Sequence, residues 1–183
     1  MSGFLGSFFQ LLEDMRSSPA AVVEVGCGEG EILKHLRSRF PAADISATDL
    51  SPAVLAQAAQ TNPDAGIDFT LQNAEQLDQY SDTQFDLVVC LEVLEHLENP
   101  QKGLQELIRI SRRDILVSVP NEPIWRILNM LRGKYWKHLG NTPGHLNHWS
   151  RTSFRKFLQS QSGAKLVQQK YPFPWQMIWL RKL

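Results

Sequence analysis

Three glycines, one aspartate and a set of histidines are the residues in this chain whose spacing could do chemistry. Gly26, Gly28 and Gly30 punctuate the loop Glu24-Val25-Gly26-Cys27-Gly28-Glu29-Gly30. Without Cβ atoms such a loop can take positive φ and let a ligand lie on bare backbone at the positive end of a following helix. Asp49 comes 21 positions after Gly28, the spacing at which an acidic side chain meets a ribose hydroxyl in nucleotide-binding α/β folds. Glu31 stands where G-x-G-x-x-G needs its third glycine, which disfavours a nicotinamide dinucleotide. His145 and His148 sit in the loop Gly144-His145-Leu146-Asn147-His148-Trp149, and His96 follows Glu95 upstream. Imidazoles titrate near neutral pH and can take a proton from an acceptor hydroxyl; each can equally anchor a loop through its ring nitrogens.

The elements that must position these residues follow from hydrophobic pattern. Val22 to Val25 are β-branched except Glu24, as in a buried parallel strand, and Ile32, Leu33 and Leu36 give the stripe of a helix running to about Arg39. Asp44 to Asp49 alternate as a second strand, and Ser51-Pro52 opens a second helix: serine can accept free amide hydrogens and proline suits the first helical position. Ile67 to Leu71 reads as a third strand with Asn73-Ala74-Glu75 just past its end. Phe85 to Leu91, the densest apolar run, is a central strand. A helix from about Lys102 to Ser111 and a strand from Asp114 to Val119 follow. A leading helix spans about 4–15, and Ile124 to Ser150 forms an insertion whose helical piece, Ile124 to Tyr135, puts Trp125, Leu128, Leu131 and Tyr135 on one face with Arg126, Arg132 and Lys134 around it. The last helix, Thr152 to Ser160, precedes strands Lys165 to Lys170 and about Trp175 to Arg181.

Four blocks together, Glu24 to Gly30, Thr48-Asp49-Leu50-Ser51-Pro52, Asn73-Ala74-Glu75 and Phe85 to His96, resemble the class I S-adenosylmethionine-dependent methyltransferases in order and spacing. The last block is similar to the quinone-pathway O-methyltransferases. The resemblance implies a Rossmann-like, doubly wound α/β sheet of seven strands, the last antiparallel, with helices on both faces. It implies S-adenosylmethionine as cofactor and S-adenosylhomocysteine as product. Carried onto this chain, Asp49 and Leu50 meet the ribose side and Gly26, Cys27, Gly28 and Gly30 admit the amino-acid end. Glu24 orients the ammonium, Asn73, Ala74 and Glu75 lie near the adenine, and Leu91 faces the methyl donor. The His-rich loop is expected beside the acceptor, with His145 ahead of His148 and His96 as proton acceptor and the segment 124–150 as a lid.

Composition agrees with one enzyme domain over 1–183. The two cysteines, Cys27 and Cys90, make no disulfide framework and point to a cytoplasmic setting; no metal site is expected, and no apolar run approaches a membrane span. Charge is lopsided: residues 1–122 hold all 19 acidic and 8 of 19 basic residues, leaving 11 basic and no acidic residues in 123–183. The halves either attract one another within the domain, or the basic third, through 124–137, meets an anionic surface, a membrane or an anionic substrate. A small, apolar acceptor is the expected partner. Two alternatives stay open: a nucleic-acid methyltransferase, although Cys90-Leu91-Glu92-Val93 lacks the Asn/Asp-Pro-Pro-Tyr/Phe motif of exocyclic-amine enzymes, and a non-catalytic binding protein.

Overall fold

The computed structural model describes residues 2–16, 18–63, 66–132 and 142–183. Strands β1 (Ala21–Val25), β2 (Asp44–Asp49), β3 (Ile67–Leu71), β4 (Phe85–Leu91), β5 (Ser111–Pro120), β6 (Ala164–Lys170) and β7 (Trp175–Lys182) form one sheet in the order β3-β2-β1-β4-β5-β7-β6. The first five pair in parallel, and β7 is antiparallel to both of its neighbours, so the last strand alone runs against the rest. This is the doubly wound sheet that the sequence resemblance implies. Strand order reverses between β1 and β4, and in open α/β sheets the ligand crevice opens beyond the carboxyl ends at such a point.

Alternation along the strands feeds two cores. Val22, Ile45, Leu87, Val89 and Leu116 pack under α1 (Ser2–Asp14), α2 (Glu31–Arg39) and α3 (Pro52–Thr61). Val23, Val25, Val88, Cys90 and Val117 pack under α4 (Pro100–Ile110) and α6 (Arg151–Gln159). The helix α1 is tied down by Phe8, Leu11 and Leu12, all almost wholly buried; truncating one of them to alanine costs about 2 to 5 kcal/mol. Ser51 caps α3, its Oγ accepting the Val54 N–H at 3.4 Å, and Pro52 follows at the first helical position.

Several element boundaries differ from the sequence expectation, α4 for instance starting at Pro100 and ending before Ser111. β5 begins at Ser111, earlier than Asp114, because the chain pairs Ser111 with Phe85 across an irregularity and then resumes at Leu87 and Asp114. The helix after it, α5 (Glu122–Leu131), starts two residues earlier than expected because Pro123 falls in its first turn, where a missing N–H costs nothing. Tyr135, Lys134, Lys137 and the rest of 133–141 lie outside the described residues, as does that part of the expected lid.

Candidate active site

The cleft is built from the carboxyl ends of β1, β2 and β4. After Val25 the chain turns over β2: the Gly26 and Cys27 N–H groups both donate to the Thr48 carbonyl, at 2.7 and 3.0 Å. Asp49 then ties loop to strand, its Oδ2 accepting the Gly28 N–H at 3.1 Å and its Oδ1 the Ser51 N–H at 3.0 Å. Both oxygens keep lone pairs for a ligand. Gly28 has φ +53 and a Cβ there would meet nothing within 4 Å, so its side is open space. A Cβ on Gly30 would strike Asn62 and Ala58, and one on Gly26 the Val93 side chain. The cleft encloses about 320 Å³ between Gly26, Gly28, Asp49 and Leu50 on one side, Gln72, Asn73 and Ala74 at one end, and Glu92, Val93, His96 and Leu97 opposite.

That opposite wall starts with a backbone exception. Glu92, just past β4, has φ +59, a left-handed conformation rare outside glycine, asparagine and aspartate. It is held there by its N–H donating to the Ser118 carbonyl at 3.1 Å and by the Ser118 hydroxyl donating to its Oε1 at 2.7 Å. Burial pushes the Glu92 carboxyl up to about 7, against the opposing pull of hydrogen bonds from Ser118 and the Trp175 side chain. Glu24 lies buried beneath the glycine loop with its Oε2 unpartnered, and burial, seconded by nearby Asp49, raises its pKa well above the ordinary carboxyl range.

Behind the wall the histidines converge. The turn Leu94–His96 exposes His96 to the cleft, and His96 Nδ1 sits 2.9 Å from the Gly144 carbonyl. A carbonyl can only accept, so Nδ1 carries the proton and Nε2 is the basic nitrogen. His145 is buried, with Nδ1 2.7 Å from Glu122 Oε1 and its ring edge-on to His96 at 4.9 Å. Glu95, also buried, has both carboxyl oxygens without a partner, and burial followed by the charge of Glu92 raises its pKa. Glu95, His96 and His145 bring one donor atom each within 4.8 Å of one another, a carboxylate and two imidazoles that could hold a divalent cation. No spacing in the sequence announces this group, since His145 comes to Glu95 and His96 from the loop at 142–149, about 50 positions further along the chain.

The positions read from sequence therefore divide. Gly26, Gly28, Asp49, Leu50, Asn73, Ala74 and His96 line the cleft, while Gln72, Glu92, Val93 and Leu97 line it without having been expected there. Glu24, Cys27 and Leu91 lie in the layer beneath, Gly30 packs against α3, and Glu75 points away, its Oε1 accepting the Asn99 N–H at 2.8 Å. Asn73 Oδ1 accepts the Glu75 N–H at 2.8 Å, an Asx turn that presents Asn73 and Ala74 at the cleft's end. His148, 3.4 Å from Glu122 Oε1, faces a separate open groove with Arg126, Ile127 and Met130.

Comparison with known proteins bears on this geometry. A ubiquinone biosynthesis O-methyltransferase of Pseudomonas paraeruginosa is 28% identical over 149 residues, 78% of this chain and 60% of the relative. A malonyl-[acyl-carrier protein] O-methyltransferase of Anoxybacillus flavithermus is 26% identical over 99 residues, 54% of this chain and 38% of the relative, so the chain spans less than two thirds of either one. The fold matches the methyltransferase domain of bacterial CtHen1, with TM-score 0.74, 22% identity and coverage of 98% of this chain and 97% of that one. It also matches magnesium protoporphyrin IX methyltransferase from Synechocystis PCC 6803 with bound SAH, at TM-score 0.73, 20% identity and coverage of 98% and 82%. Residues 23–117, running from β1 through the cleft to β5, match the methyltransferase domain family, and the chain belongs to that family.

Proposed function

We propose that the chain transfers a methyl group from S-adenosylmethionine to an oxygen of a small-molecule acceptor and releases S-adenosylhomocysteine. The observation that carries this reading is the Asp49 carboxylate bonded to the Gly28 N–H at the mouth of the cleft, in a chain of this family. Asp49 accepts the ribose hydroxyls, Asn73 and Ala74 meet the adenine, and the open side of Gly28 admits the amino-acid end, whose ammonium is drawn toward buried Glu24. The sulfonium carbon is already activated, so the protein must align the acceptor, exclude water and move one proton. The acceptor oxygen attacks the methyl carbon, the C–S electrons return to sulfur, and the hydroxyl proton passes to a base. The relative from P. paraeruginosa, named an O-methyltransferase, supports oxygen as the accepting atom.

For the proton, His96 lines the cleft with its Nδ1 held by the Gly144 carbonyl, which leaves Nε2 as the base, and His145, bonded to Glu122, meets its ring edge-on. A second reading is favoured by Glu95, whose two unpartnered buried oxygens adjoin both imidazoles: the three residues hold a divalent cation that lowers the acceptor's own pKa. Incubating the chain with methyl-labelled S-adenosylmethionine and a panel of phenols, amines and lipids tests the whole reading. Label in an O-methyl product is expected, and label in no acceptor would favour a non-catalytic binding protein. The surface of α5 extends the proposal, since Ile127 and Leu131 are exposed beside Arg126 and Arg132 in the basic third and suit an anionic membrane that carries an apolar acceptor.

A further inference from the structure

We infer that the acceptor is an uncharged aromatic ring bearing a hydroxyl, and that it lies in the cavity beneath α1 with that hydroxyl on Glu92; the inference rests on the methyl-transfer reading above. The cavity encloses about 230 Å³ and is walled by Phe4 and Leu5 of α1, Ile32 and His35 of α2, and Trp175 at the start of β7. This is room for one six-membered ring with short substituents. Its walls offer rings to stack on or meet edge-on: Phe4 stands edge-on to Trp175 at 5.4 Å, and Phe9 backs His35 at 5.1 Å.

Glu92 makes the cavity more than a gap in packing, because its side chain lines both this cavity and the cofactor cleft. A group hydrogen-bonded to Glu92 from the α1 side therefore lies at the partition facing the cofactor. The residue holds a left-handed backbone, and Ser118 and the Trp175 side chain both bond its carboxyl, which keeps further lone pairs to accept a hydroxyl. Charge selects further. Glu31 and Glu92 are the carboxyl groups that line the cavity, beside the imidazole of His35, and no lysine or arginine lines it among the described residues, so a carboxylated ring meets two carboxyls and no ammonium or guanidinium counter-ion.

The test uses the chain saturated with S-adenosylhomocysteine, whose own binding is titrated first, and saturation-transfer NMR with 4-methylphenol, toluene and benzoate. Binding of 4-methylphenol is expected, with benzoate excluded. Leu5→Trp, and independently Ile32→Phe, should abolish the 4-methylphenol signal while S-adenosylhomocysteine affinity stays within about twofold. Glu92→Gln should weaken 4-methylphenol about tenfold or more and leave toluene unchanged, the loss expected for one hydrogen bond to a charged acceptor. Equal 4-methylphenol binding in both filled variants, or benzoate binding as tight as 4-methylphenol, overturns the assignment. If S-adenosylhomocysteine binds and 4-methylphenol does not, the cavity assignment alone fails; if S-adenosylhomocysteine does not bind, the methyl-transfer reading fails with it.

Discussion

Asp49 Oδ2 accepts the Gly28 N–H at 3.1 Å, so the carboxylate at the end of β2 and the glycine loop at the end of β1 are one rigid unit before any ligand arrives. Such preorganisation lowers the ordering cost of binding.

That unit separates the roles of two glycines that look alike in the sequence. Gly28→Val places its branches in the cleft and should abolish cofactor binding, with a left-handed strain cost of about 1 to 2 kcal/mol that leaves the fold intact. Gly30→Val adds collision with Asn62 and Ala58 to the same strain and should cost about 2 to 5 kcal/mol of stability. Thermal melts and calorimetric titration of both variants check this. Equal melting temperatures would mean the α3 contact yields freely.

Glu24 should trade stability for binding. Its folded pKa is raised by burial above the ordinary carboxyl value of 4.5, so the folded state holds the proton more tightly and stability falls as pH rises from about that value through the raised one. Glu24→Gln should therefore melt higher than wild type at about pH 8, by about 1 to 3 kcal/mol, and match it at about pH 4. The same variant should bind S-adenosylmethionine more weakly, since the ammonium loses its counter-charge. Stabilisation without loss of affinity would place the ammonium elsewhere.

The Glu95, His96 and His145 group makes a prediction about chelation. If the three hold a cation, EDTA should lower turnover about a hundredfold or more, magnesium or manganese should restore it, and Glu95→Gln should resist that rescue. S-adenosylhomocysteine affinity should not change with EDTA. Turnover indifferent to EDTA leaves His96 Nε2 as the base, and His96→Ala should then lower the rate by about a hundredfold to ten-thousandfold.

The exposed stripe of α5 predicts co-sedimentation with anionic liposomes. Leu131, 78% exposed, and Ile127, 52% exposed, share a face by their four-residue spacing. Leu131→Glu should reduce the bound fraction severalfold, and neutral vesicles should bind less than anionic ones. A wild-type chain that sediments with neither would remove the membrane contact from the account.

The parts legible in the sequence were those governed by local pattern. Strand β4 came from an unbroken apolar run, α3 from Ser51-Pro52, and the cofactor end of the cleft from glycine spacing with Asp49. What escaped depends on contacts across long separations. Glu92 reads as an ordinary residue in Leu91-Glu92-Val93, and only its positive φ and its bond to Ser118, 26 positions on, reveal it as the partition between two cavities. His145 reads as a loop imidazole facing substrate, yet Glu122, at the start of a helix that begins earlier than its apolar stripe, draws it into the interior. Gly30 reads as the third member of a ligand loop, whereas its tight neighbours are α3 side chains.

The most direct test of the central claim is calorimetric titration of S-adenosylmethionine into the purified chain and into Asp49→Ala. The account predicts one saturable site per chain in the wild type, without added metal. It predicts at least about tenfold weaker binding in the variant, because charge-assisted hydrogen bonds worth about 1.5 to 3 kcal/mol each are lost. No binding to the wild type, or unchanged affinity in Asp49→Ala, would contradict it.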